Sequence, residues 1–206
     1  MVSDMTLIKK IWRWFWSPSK KWALGALLLA GFVVGGITVF ASHKTLEWTN
    51  SEGFCTSCHT MQFNQTEYTG TVHDVSKTGV RATCSQCHVP EQGLNLMIRK
   101  AQAANDVYQH FIGKTIDTKE KLEERRGLLA MREWTRMKKS DSAGCRSCHT
   151  EMNMDLSNQN LRARTGHTLA KNENKTCIDC HKGIAHELPA NWVELEKQLN
   201  LNFSKK

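Results

Sequence analysis

The sequence predicts a mainly α-helical, loop-rich protein with one transmembrane helix near its N-terminus. An uninterrupted apolar run early in the chain predicts the transmembrane helix. The remainder shows no sustained alternation of apolar and polar residues, the pattern that would indicate β-strands. With 206 residues, 40% of them hydrophobic, and a mean hydropathy of -0.48, we expect one soluble domain attached to one membrane segment.

The apolar run covers residues 22–41, which include no charged side chain and a single hydroxyl, that of Thr38. At about 1.5 Å per residue, a helix of this length spans roughly 30 Å, the thickness of the hydrocarbon core of a bilayer. A cleaved signal peptide is the alternative, but its apolar region is only about 7 to 15 residues long. We therefore expect an uncleaved anchor.

Charge is unevenly distributed along the chain, and this predicts the orientation of the anchor. Half of the formal charge of +8 lies in residues 1–21, which contain five basic residues and one acidic residue. Basic segments stay on the cytoplasmic side. We therefore predict a cytoplasmic N-terminus (1–21), an anchor (22–41) and a periplasmic domain (42–206) at the bacterial inner membrane, and no nucleic-acid partner. Gly31 and Gly35 also permit close approach of a second helix in a homodimer.

All eight cysteines belong to four Cys-x-x-Cys-His motifs. The motifs are Cys55–Cys58–His59, Cys84–Cys87–His88, Cys145–Cys148–His149 and Cys177–Cys180–His181. In such a motif the two thiols form thioethers to haem c, and the histidine is an axial ligand of the iron. The sequence therefore predicts a multihaem cytochrome c domain with four covalently bound haems.

Three other readings of the cysteine pairs are weaker. Structural zinc does not need a histidine after every second cysteine. A disulfide across two residues closes a very small loop and contributes little stability. A thioredoxin-like redox pair occurs once, beside a strand–helix–strand pattern that this sequence lacks.

Two long helices are expected in the haem domain. Residues 119–139 place apolar Leu122, Leu129, Met131 and Trp134 among charged residues, as an amphipathic helix does. A second helix is predicted over about 93–111. Because only 165 residues surround four haems, the haems themselves should form most of the buried core.

Each haem iron has a second axial position, and five histidines lie outside the motifs. His73, His167 and His186 are the predicted distal ligands, each serving a haem other than that of its nearest motif. His43 fits an interfacial residue equally well, and His110 is a weaker candidate. Met61 follows His59 by two residues, so both His59 and Met61 are candidates at the first haem, and a thioether ligand would raise its reduction potential.

The chain resembles the NapC/NirT/NrfH family of membrane-anchored tetrahaem quinol dehydrogenases, most closely its NapC branch. The resemblance covers nearly the whole chain. It rests on the basic N-terminus, the single anchor, the order of the motifs and three blocks. These blocks are residues 79–83 (GVRAT), 97–100 (MIRK) and 176–186 (TCIDCHKGIAH).

The resemblance implies that the protein oxidises a membrane quinol, either menaquinol or ubiquinol. Electrons would pass through the haems to a periplasmic reductase or its cytochrome subunit, with periplasmic nitrate reductase favoured and anaerobic nitrate respiration as the setting. Lys100 and Asp106 match family positions implicated in the quinol site, and Arg99 is a weaker neighbour. Met61 matches a methionine that ligates the first haem in some relatives. His73, His167 and His186 match distal histidines, whereas His110 has no recognised counterpart.

Alternative functions remain at this stage. The same relay could serve a nitrite or other periplasmic reductase, or the protein could be a passive haem wire fed by another membrane subunit. A terminal reductase is disfavoured because few residues are left to build a substrate cavity. As the chain ends at Lys206 after a short tail without a fifth motif, a five-haem protein with a C-terminal extension is not expected.

Overall fold

The computed structural model describes residues 4–18, 21–91, 93–150 and 154–204. Lys20 of the basic N-terminus and Lys206 at the chain end lie outside these ranges. Helices dominate the described residues and no β-strand occurs among them, so the mainly α-helical fold class is confirmed. The chain divides into two compact units, Met1–Trp48 and Thr49–Lys206.

The first unit contains a short helix that the sequence analysis did not predict. This helix, α1, spans Asp4–Phe15. Ile8, Ile11 and Trp12 recur at helical spacing, with Lys9 and Arg13 at the intervening positions. The basic N-terminus is therefore an amphipathic helix over most of its length.

The anchor helix, α2, spans Leu24–Thr49 and is the only helix in the described ranges that is long and apolar enough to cross a membrane. It ends eight residues beyond the predicted boundary at 41, because the polar segment that follows also supports a helix. Lys44 Nζ contacts Glu47 Oε2 at 2.7 Å, and the Thr45 hydroxyl donates to the Ala41 carbonyl at 2.8 Å. Around Gly31 and Gly35, open space remains for the predicted second helix.

The second unit is built from short helices that hold the motifs and a few longer ones that support them. The helices are α3 (Glu52–Cys55), α4 (His59–Tyr68), α5 (Cys84–His88), α6 (Gly93–Phe111), α7 (Lys119–Lys139), α8 (Ala143–Arg146), α9 (Leu161–Asn172), α10 (Cys177–Cys180) and α11 (Trp192–Ser204), with a 3₁₀ turn at Leu156–Asn158. Both predicted long helices, now α6 and α7, are confirmed.

Helix α7 is the central support of this unit. Its first turn is capped by Thr118, whose hydroxyl accepts from the Lys121 backbone amide, and its last turn is basic, which complements the helix dipole. Trp134 of α7 packs with Ile178 of α10 and Leu199 of α11 in a small hydrophobic cluster. This cluster joins the helix of the fourth motif to the two longer helices, while most motif residues remain only half-buried.

Candidate functional site

The structure places every motif histidine opposite a histidine from outside the motifs. The ring centroids are 5.4 Å apart for His59 and His110, 6.1 Å for His149 and His73, 6.2 Å for His88 and His186, and 6.0 Å for His181 and His167. These four facing pairs use eight of the nine histidines. The ninth, His43, is exposed on α2 beside Glu47, with Nδ1 and Oε1 3.5 Å apart.

The spacing of the pairs fits an iron held between two imidazoles. Two imidazole nitrogens bound on opposite sides of one metal at about 2.0 Å each leave their ring centroids roughly 6 Å apart. The cysteines of each motif precede its histidine in the order that thioether attachment requires, and none of the eight forms a disulfide in this structure. Among the described residues no group of three or more His, Cys, Asp and Glu converges to hold a bare metal ion, which disfavours zinc.

The second ring nitrogen of several paired histidines has its own polar partner. His88 Nδ1 lies 2.7 Å from Glu133 Oε1, and His167 Nδ1 lies 2.6 Å from Gln159 Oε1. An acceptor at Nδ1 holds the proton there, fixes the orientation of the ring and leaves Nε2 free for the iron. Burial would raise the pKa of Glu133, but hydrogen bonds from His88 and Arg136 lower it to about 2, so its carboxylate is ionised.

The first motif is arranged differently from the sequence-based interpretation. Opposite His59 lies His110, in the last turn of α6, and Thr60 Oγ1 is 3.2 Å from His110 Nδ1. Met61, the candidate from the family resemblance, has its sulfur 3.8 Å from Asn64 Nδ2. One signal in the sequence pointed to His110: it lies at the end of the same predicted helix that carries Lys100 and Asp106.

The other three histidines that face a motif lie at different distances from it along the chain. His73 faces the third motif and His186 faces the second, so each lies opposite a motif other than its nearest one. His167 instead faces His181 of the fourth motif, the motif nearest to it in sequence. Helix α9 carries His167 and begins after Asn160, whose side chain accepts from the Ala163 amide at 2.9 Å.

The four motifs contact one another in chain order. Helix α3, which ends at Cys55 of the first motif, contacts α5 of the second. Helix α8 of the third motif contacts α5 of the second. Ser142, just before the third motif, accepts a hydrogen bond from the Ile178 amide of the fourth at 3.2 Å. The attachment motifs therefore form a continuous series from first to fourth.

Lys100 and Asp106 both lie on α6, and each contacts a different residue. The Lys100 ammonium donates to the carbonyl and hydroxyl oxygens of Thr49 at 3.0 and 2.9 Å, and burial lowers its pKa. Asp106 Oδ2 lies 3.9 Å from Arg99 Nη1, beside a cavity of about 100 Å³ between α6 and α7 that Arg125 and Arg132 also line. Burial raises the pKa of Asp106.

Comparison with known proteins gives consistent results over nearly the whole chain. The sequence pattern of the NapC/NirT cytochrome c family, N-terminal region, matches residues 17–191. The chain is 46% identical to "Cytochrome c-type protein NapC" of Escherichia coli strain K12 over 185 residues, which are 89% of this chain and 91% of that protein. It is 47% identical to "Denitrification system component NirT" of Stutzerimonas stutzeri over 178 residues, or 86% and 88%.

A third relative is longer than this chain. Identity to "Cytochrome c-type protein TorC" of Escherichia coli strain K12 is 44% over 193 residues, which are 94% of this chain and 50% of TorC, so the chain spans about half the length of that relative. No solved structure matches the chain significantly. The family match and the four motifs support covalently bound haem c, and α2 suits a single-pass membrane anchor. The chain belongs to the NapC/NirT cytochrome c family.

Proposed function

We propose that this protein takes electrons from a membrane quinol and delivers them through four c-type haems to a periplasmic reductase, with periplasmic nitrate reductase as the acceptor. The observation that carries the proposal is the set of four facing histidine pairs, arranged on motifs that contact one another in chain order. Two neutral imidazoles give a low-spin iron suited to passing single electrons. A contiguous series of such sites is suited to electron relay rather than to substrate reduction at an open iron.

Each motif is proposed to hold one haem through its two cysteines. The proximal ligands are then the motif histidines, and the distal ligands are His110, His186, His73 and His167 for the first to fourth haems. In this assignment His59 rather than Met61 would be the motif-side ligand of the first haem, with His110 opposite it. When bound, haem c supplies an iron that accepts and donates one electron. The protein residues orient the imidazoles and keep the sites in series.

The proposed orientation has the N-terminus in the cytoplasm and the haem domain in the periplasm. The basic residues that precede α2 support it through the positive-inside rule. The cysteine motifs are consistent with this orientation, because it places the sites of haem attachment on the periplasmic side together with the acceptor.

Quinol oxidation releases protons as well as electrons, so the site needs a proton acceptor and a group that orients the quinol hydroxyls. We assign these roles to Asp106 and Lys100, respectively. The raised pKa of Asp106 makes its carboxylate a better proton acceptor than an ordinary aspartate. Lys100 donates to Thr49, just before the helix α3 that ends at Cys55 of the first motif. When quinol binds, the Lys100 ammonium must either break its hydrogen bonds to Thr49 or donate to Thr49 and quinol together.

The test is haem reduction by a quinol analogue in the detergent-solubilised holoprotein. We expect rapid reduction in the parent, roughly hundredfold slower reduction after Asp106→Ala, the lower end of what a general base contributes, and slower reduction after Lys100→Ala as well. Lys77→Ala and Glu194→Ala change exposed charges elsewhere and should leave the rate unchanged. Dithionite should still reduce all four haems in every variant.

Two results would argue for the alternatives. If quinol does not reduce the intact protein, it is a haem wire fed by another membrane subunit. If the quinol-reduced protein is reoxidised by a periplasmic nitrite or N-oxide reductase but not by periplasmic nitrate reductase, the relay is retained and the proposed acceptor is wrong.

A further inference from the structure

The His88–His186 pair differs from the other three in its surroundings, because a carboxylate faces each of its rings. His88 Nδ1 is 2.7 Å from Glu133 Oε1, and His186 Nδ1 is 3.7 Å from Glu67 Oε2. Within the described ranges, no other paired histidine has a carboxylate oxygen within ion-pair distance. A carboxylate oxygen therefore lies close to each ring of this pair, and each of the two carboxylates is itself paired with an arginine.

Glu133 is fixed in place by a second contact from the same helix. Arg136, three residues later on α7, donates to both oxygens of Glu133, with Nε 3.0 Å from Oε2. Arg136 also reaches the Cys87 carbonyl of the second motif at 3.4 Å. The arginine keeps the carboxylate ionised and aims it at the imidazole, the arrangement in which a second-shell group tunes a metal ligand.

Glu67 is held just as firmly, but it acts at a longer distance. Arg126 binds both its oxygens through Nη1 and Nη2, and the Glu187 amide donates to Oε2 at 3.0 Å. A separation of 3.7 Å from His186 is too long for a hydrogen bond. Glu67 therefore contributes charge to the site rather than a hydrogen bond.

The corresponding groups at two other pairs are uncharged. The partner of His167 Nδ1 is the amide oxygen of Gln159, at 2.6 Å. The partner of His110 Nδ1 is the hydroxyl of Thr60, at 3.2 Å. An amide and a hydroxyl orient an imidazole as a carboxylate does, but they add no negative charge.

We propose that Glu133, supported by the charge of Glu67, is a positioning residue that gives the haem between His88 and His186 the lowest reduction potential of the four. A carboxylate that accepts the Nδ1 proton makes the imidazole a stronger electron donor, and this stabilises ferric over ferrous iron. The inference rests on the proposed assignment of these histidines as axial ligands. During stepwise reduction, this haem is then the last to be reduced.

The test is a potentiometric titration of the full-length holoprotein with chemical mediators, followed by absorption and electron paramagnetic resonance. We expect Glu133→Gln to favour the reduced form of one haem by roughly tenfold, which is about 59 mV for a one-electron couple, and to leave the other three potentials unchanged. The haem that shifts should be the one whose spectrum alone changes in His186→Met.

The converse variant is Gln159→Glu, which places a carboxylate beside His167. It should lower the potential of the His167–His181 haem by a similar factor and leave the His88–His186 haem unchanged. If the Glu133→Gln protein fails to load four haems, the Gln159→Glu variant alone tests whether a carboxylate at Nδ1 lowers the potential. Unchanged potentials in either loaded variant, or equal shifts of all four haems, would overturn the proposal. Because mediators replace quinol in the titration, the result is independent of quinol oxidation.

Discussion

His110 lies opposite His59 with the two ring centroids 5.4 Å apart and the ring planes inclined by 63°. Thr60, the neighbour of His59, is buried, and its hydroxyl contacts Nδ1 of His110. We predict that His110→Ala removes one axial ligand from the first haem and converts that haem from low-spin to high-spin. Electron paramagnetic resonance of the oxidised holoprotein measures this change.

Met61→Leu is the matched control for His110→Ala, because Met61 is the alternative to His59 as a ligand of the same first haem. It keeps the size and apolar character of the side chain, so the low-spin spectrum should persist for all four haems. If the methionine variant loses the low-spin signal while the His110 variant keeps it, the first haem is methionine-ligated in the functional protein.

Gly144 allows the second and third motifs to approach closely. A Cβ at this position would lie 2.7 Å from the Gln86 carbonyl oxygen and 3.1 Å from the Cys87 carbonyl oxygen. Gly144→Ala should therefore force backbone movement between the motifs and lower the free energy of unfolding by about 1 to 3 kcal/mol. Chemical denaturation followed by far-ultraviolet circular dichroism measures the loss.

Gly166 provides the comparison, since a Cβ there meets nothing within 4 Å and its φ is not positive. It lies inside α9, so Gly166→Ala should raise the free energy of unfolding by up to about 1 kcal/mol through helix propensity. Equal effects of the two substitutions would show that close approach at Gly144 has no special cost.

The parts of the fold that the sequence predicted are those governed by local patterns. Helices α6 and α7 follow from apolar spacing within a single segment, and both have the expected bounds. The apolar run that predicts α2 is also local, but its end was placed too early. Hydropathy defines where a helix can be embedded in lipid, whereas backbone hydrogen bonding continues through the polar residues up to Thr49.

The pairing of the histidines could not be predicted, because it depends on contacts between distant segments. His186 and His88 are 98 positions apart in sequence. They meet because α7 packs against its neighbours: it carries Glu133, which contacts His88, and Arg126, which binds Glu67 near His186. The contact between His110 and His59 could not be predicted for the same reason. Their proximity requires the end of α6 to return to the start of α4, and no local pattern encodes this contact.

Asp106 should make stability depend on pH in an unusual direction. Burial raises its pKa above the ordinary value, although Arg99 and Arg132 oppose the shift. The folded state then binds the proton more tightly than the unfolded state, so stability is lost as pH rises through the carboxyl's titration range. Asp106→Asn should therefore have a higher Tm than the parent at pH 7, and the difference should disappear below pH 3.8, the ordinary pKa.

Asp74 is the control of opposite sign. Hydrogen bonds from the Gly70 amide and from Arg81 lower its pKa, so it stabilises the fold above its ordinary pKa and loses this effect as pH falls. Asp74→Asn should lower Tm at pH 7. Thermal unfolding of both variants and the parent should be measured from neutral to low pH. Relative to the parent, the two variants should show Tm differences of opposite sign at neutral pH, and these differences should disappear at low pH.

The ion pair between Glu67 and Arg126 ties α4 to α7 beside the second histidine pair. Both side chains are largely buried, at 13% and 12% exposure. Glu67→Gln leaves the buried Arg126 with the more exposed Glu123 as its remaining charged partner, so it should lower the free energy of unfolding by about 1 to 3 kcal/mol. Glu123 contacts the same arginine but is 42% exposed, and Glu123→Gln should cost less than about 1 kcal/mol. Chemical denaturation of both variants measures the contrast. Similar losses in the two variants would mean that Arg126 is compensated equally well whichever carboxylate is removed. Helix α4 would then be held to α7 by its other contacts.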